Sequence, residues 1–143
     1  MQMSRIVQWY LKMSLVYLFL GTTLGMLFGL HWAGLFPAWH ISQNWVLVHV
    51  HLTLIGFVSM MIFGVSYHTV PRFAGRGTNP YSPTAATVQF WLINVGLWGF
   101  TGGLISQQYA YLAAGGVLMV LGMYLYILNL WLTIARAPAK KRA

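Results

Sequence analysis

Apolar residues fill four long blocks of this chain, approximately Met13–Gly34, Trp45–Val70, Ala85–Ile105 and Tyr109–Ile134. About twenty predominantly apolar residues carry an α-helix across a bilayer, so each block is expected to form one transmembrane helix. The break HWAGLFPAWHISQNW holds Trp32, Trp39 and Trp45, as expected of an aromatic belt at a membrane interface. The break PRFAGRGTNPYSPT is rich in Pro and Gly and reads as an irregular turn. The break SQQ is so short that the last two helices must form an antiparallel hairpin. The expected fold is an all-α membrane protein with four transmembrane helices in one domain, residues 1–143, without linkers or internal repeats. The first block is too long for a cleavable signal, and no small-residue cleavage site follows it.

Glycines recur at helix-packing intervals. Gly21, Gly25 and Gly29 share one face of the first block, and Gly99 and Gly103 one face of the third. Such faces let helix backbones approach closely in lipid. Tyr67, Gln89 and Asn94 are expected to hydrogen-bond between helices.

Composition narrows the chemistry. The chain is 59% hydrophobic and 6% charged, with no Asp, Glu or Cys, against about 25% charged in soluble domains. Disulfides, thiolate metal sites, paired-carboxylate catalysis and carboxylate proton relays are therefore excluded. The eight cations are Arg5, Lys12, Arg72, Arg76, Arg136, Lys140, Lys141 and Arg142. All fall on one side of the four-span arrangement, which the positive-inside rule makes cytoplasmic, together with both termini. A multi-pass protein of the cell inner membrane is expected. The cations set topology rather than bind nucleic acid, and the basic tail at 135–143 is expected to be drawn to anionic lipid.

The candidate chemistry lies in NWVLVHVHLTLIGFVSMMIFGVSYHTVPRF, residues 44–73. His49 and His51 sit inside an apolar span, and the chain has no acidic residue to pair with them. Imidazole is the commonest metal ligand. Positions i and i+2 of a helix point about 200° apart, so the two rings face opposite sides and one helix serves two sites. Haem takes axial imidazoles, and its apolar macrocycle suits the space between membrane helices. His68 lies about 28 Å along the helix from His49, too far to share a haem with it. A second axial ligand must be an outer-loop histidine (His31 or His40), a methionine such as Met26, or a histidine of another copy. His68 and Arg72 are candidates for a quinone head group or a lipid phosphate, or else anchor the interface. His31 and His40 are candidates for a surface copper or zinc, or are simply solvated.

The segment HVHLTLIGFVSMMIFGVSYHTVPRF, about a sixth of the chain, resembles the H-x-H helix of haem–copper oxidase subunit I. The likeness is to the cbb-type oxidases and nitric oxide reductases in particular. In that family the first histidine of the pair binds the high-spin haem and the second the low-spin haem. The resemblance thus implies that His49 and His51 are axial ligands of haem iron. The family's subunit consists of three four-helix units in pseudo-threefold array, and this chain resembles one of them. Closed cyclic symmetry is the usual arrangement of homo-oligomers. The resemblance therefore implies a homotrimer with one haem b in each gap, held by His49 of one copy and His51 of the next. The family's copper-binding histidines and pathway carboxylates have no counterpart here. The expected role is electron transfer through bis-histidine haem in the respiratory chain, not oxygen reduction or proton pumping by this chain alone. The alternatives are a five-coordinate haem protein that binds or reduces oxygen or nitric oxide, as an oxidoreductase related to cytochrome c oxidase, and a haem-free accessory subunit of a respiratory oxidase.

Overall fold

The computed structural model describes residues 3–35, 41–73 and 81–135. His40, Arg76, the tail 136–143 and the side chain of Arg72 lie outside the described residues, and so do the expectations placed on them.

Helix α1 runs Arg5–Trp32. Helix α2 covers residues 43–73 in three stretches, α-helical Gln43–His51, π-helical Leu52–Ser59 and α-helical Met60–Phe73. Helix α3 is Pro83–Ser106 and helix α4 Tyr109–Ala135. All four are long and apolar enough to cross a membrane, which gives an all-helical multi-pass architecture. Helix α1 begins eight residues before the apolar block, so Arg5 and Lys12 lie inside the helix rather than ahead of it. Helix geometry follows backbone hydrogen bonding, and a lysine on such a turn keeps its charge in water by extending its aliphatic stem. Helix α3 starts at a built cap, with the Ser82 hydroxyl accepting from the Ala85 amide at 3.2 Å and Pro83 following it. Pro at the first helical position gives up a donor that has no partner there anyway.

Helices α1 and α2 form one pair, α3 and α4 another, and α2 joins the pairs by touching both α3 and α4. Glycine makes both close pairings possible. A Cβ at Gly115 of α4 would fall 2.6 Å from the Gly96 carbonyl oxygen and 2.8 Å from the Gly99 carbonyl carbon of α3. A Cβ at Gly103 would meet the Leu112 Cα at 2.9 Å. Between α1 and α2, Gly21 lies against Thr53, Gly25 against His49, and Gly56 against Tyr17. Gly29, the third member of the expected glycine face, meets nothing within 4 Å.

Four tyrosines tie the pairs together. The Tyr10 hydroxyl donates to the Ala86 carbonyl at 2.9 Å, Tyr17 to Asn94 Oδ1 at 2.7 Å and Tyr67 to Gln89 Oε1 at 2.6 Å. Tyr126 donates to Ser66 Oγ at 2.9 Å. Tyr67, Gln89 and Asn94 thus bond between helices as their polarity predicts. Such bonds are worth about 0.6 kcal/mol on average in a bilayer and rarely above ~1.7. Tyr17→Phe is expected to cost an amount in that range, measured by reversible unfolding in mixed micelles.

The π-helical stretch has a packing logic. Val48, Leu52, Gly56 and Met60 are all buried at strict four-residue intervals. In a pure α-helix each such step drifts about 40° around the axis. The wider π turns take that drift back, so the stripe stays on one side. The Ser59 hydroxyl, reaching the carbonyl five residues earlier at Leu54 (3.0 Å), follows the wider turn.

Candidate functional site

His49 and His51 sit in the last turn of the first α-helical stretch of α2, immediately before the π-helical stretch. Both are partly buried, and they face different neighbours. His49 turns to α1. Its Nδ1 lies 2.8 Å from the Gly21 carbonyl oxygen, its Cε1 fits the space left at Gly25, and its ring meets Phe28 edge-on at 5.7 Å. His51 turns to α3, its ring 4.4 Å from that of Phe100, with Nδ1 2.8 Å from the Leu47 carbonyl of its own helix. The two-residue spacing therefore places the imidazoles against opposite walls of α2, as the helical repeat requires.

The hydrogen bonds define what each ring can do. A carbonyl oxygen only accepts, so Nδ1 of both histidines must carry the proton and donate. In a neutral ring this leaves the Nε2 lone pair free. A ring held through Nδ1–H by a backbone carbonyl, with Nε2 open, is the arrangement that orients histidine ligands. The donor set fits haem iron. The two rings lie against glycine and phenylalanine, compatible with an apolar macrocycle, and the chain has no carboxylate or thiolate side chain that would favour a harder or softer ion.

His31 lies six residues beyond Gly25, about 9 Å further along α1, and Phe28 of that helix packs edge-on against His49. Met26 is exposed, while its neighbour Gly25 is the residue against His49. His68 is partly buried near the far end of α2. Among the described residues no three histidines come together. The residues that surround the two rings, Gly21, Gly25, Phe28, Thr53 and Phe100, include no metal ligand. In sequence only the Gly21–Gly25 spacing hints at them. Thr53 braces the site, its hydroxyl donating to the His49 carbonyl at 2.9 Å.

The chain is 29% identical over 125 residues to Cytochrome c oxidase subunit 1 of Rhodobacter capsulatus, covering 66% of this chain and 23% of that protein. It is 27% identical over 128 residues to Cbb3-type cytochrome c oxidase subunit CcoN1 of Stutzerimonas stutzeri, covering 68% of this chain and 27% of that protein. The chain thus spans about a quarter of the length of these curated relatives. No protein-family profile and no solved structure matches it. These likenesses support a relation to haem–copper oxidase subunit I and, with the four long apolar helices, a multi-pass protein related to the respiratory chain.

Proposed function

We propose that this chain is a haem b protein of the inner membrane, with both termini cytoplasmic, and that it passes electrons through bis-histidine haem. The observation that carries the reading is the pair of Nδ1–H donations at His49 and His51, which leaves two Nε2 atoms on opposite sides of one helix. His49 and His51 would each hold an iron. Haem bound by two imidazoles supplies a one-electron couple and leaves little room at the metal for a small-molecule ligand. The rest is the work of this chain's residues. The Gly21 and Leu47 carbonyls fix the ring tautomers, Gly25 leaves room for the His49 ring, and Phe28 and Phe100 keep water away.

Within one chain the two rings face different helices, His49 toward α1 and His51 toward α3. A second copy would supply the second imidazole. Under closed threefold symmetry, His49 of one protomer would meet His51 of the next, giving one haem per chain.

The test is optical. Reduced-minus-oxidised spectra of the purified protein are expected to show a low-spin b-type haem that carbon monoxide leaves unchanged. Stoichiometric carbon monoxide binding would contradict the bis-histidine reading and favour an open coordination position.

A further inference from the structure

A cleft of roughly 750 Å³ opens between α1 and α3, away from both histidines. Trp9 and Met13 of α1 form one wall, and Trp91, Val95 and Trp98 of α3 the other, with Lys12 at its rim. Trp9 and Phe90 close one end, their rings 5.8 Å apart, and Tyr17 and Trp98 approach at 6.0 Å further along. From Phe90 to Gly99 the cleft follows about 13 Å of helix rise, so it runs parallel to the helix axes and to acyl chains in a bilayer.

Lys12 is the unusual member. It is exposed, and it stands seven residues into α1, about 10 Å along the helix from Arg5. The chain contains no Asp or Glu, so no side-chain carboxylate exists to pair with it. Helical side chains lean toward the N-terminal end, which carries this ammonium from the apolar cleft toward the headgroup layer. A cation at the rim of an apolar channel of that length fits an amphiphile with an anionic head and a hydrocarbon tail. Asn94, an amide on the cleft wall, is already committed, accepting from Tyr17 and donating to the Phe90 carbonyl at 2.7 Å each. We infer that this cleft binds an anionic phospholipid, its phosphate on Lys12 and one acyl chain along Trp91, Val95 and Trp98.

The experiment is native mass spectrometry of the full chain released from nanodiscs of equal phosphatidylglycerol and phosphatidylcholine. The wild type is expected to retain phosphatidylglycerol in preference to phosphatidylcholine. Lys12→Gln is expected to reduce that adduct at least about fivefold, the loss of one charge-assisted contact, while Lys12→Arg keeps it. Val95→Trp, which fills the channel and leaves the charge, is expected to reduce it as well. Equal retention of the two lipids, or an unchanged adduct in Lys12→Gln, would overturn the assignment. Replacement of the adduct by a quinone mass on adding quinone would also overturn it. Because the chain has no cysteine, Val95→Cys reports on a second copy directly. A disulfide-linked dimer forming at that position in the bilayer would mean that another protomer, not lipid, covers the cleft.

Discussion

Membranes containing His49→Ala or His51→Ala are expected to hold no haem from this protein, although the chain itself still inserts. In the proposed trimer each gap between copies would need one imidazole of each kind, so removing either would empty every gap rather than half of them. Co-expressing the two variants gives a sharper outcome. A protomer lacking His51 still offers His49, and one lacking His49 still offers His51. With random mixing, about one gap in four would pair the two intact rings, and haem content should recover to about that fraction. Haem content per chain, measured on the purified mixed oligomer, checks this. A single variant that keeps half its haem would show that the two histidines serve separate sites within one chain. No recovery in the mixture would likewise argue against sharing between protomers.

The second large effect is expected in the α3–α4 hairpin. Gly115→Val places carbon where the Gly96 carbonyl and the Gly99 backbone already stand. Backbone on a facing helix cannot rotate aside as a side chain can. The cost should sit near the top of the overpacking range, about 3 kcal/mol, read as a fall in unfolding free energy in mixed micelles. Gly102, with nothing within 4 Å of its missing Cβ, is the control. Gly102→Val on the same helix is expected to change stability by less than about 0.5 kcal/mol.

The sequence revealed the helices more fully than their packing. Four apolar blocks matched four helices because hydropathy over some twenty residues is a strong local signal. The boundary that moved most, at the start of α1, moved because Arg5 and Lys12 are good helix residues whose charge says nothing about backbone hydrogen bonding. The opposition of His49 and His51 follows from two residues of spacing and could be read directly. The lone pairs left on Nε2 could not, since the Gly21 carbonyl that sets the His49 tautomer lies 28 positions away in sequence. The π-helical stretch was equally hidden. It arises from matching a four-residue buried stripe to α1, and no residue in LTLIGFVS marks it. Gly25 and Gly29 looked alike in sequence, yet one makes room for a histidine and the other faces open space. Pattern gives the face, and only the facing helix decides which glycine is used.

The central claim is that each chain presents two free imidazole nitrogens to haem iron from opposite sides of α2. Its most direct test is the absorption spectrum of protein purified from haem-replete cells, taken together with haem content and oligomer mass in detergent. The account predicts an intense Soret band, one haem per chain, and a mass of three protomers that is lost together with the haem. A colourless preparation, or a monomer that retains its full haem complement, would contradict it.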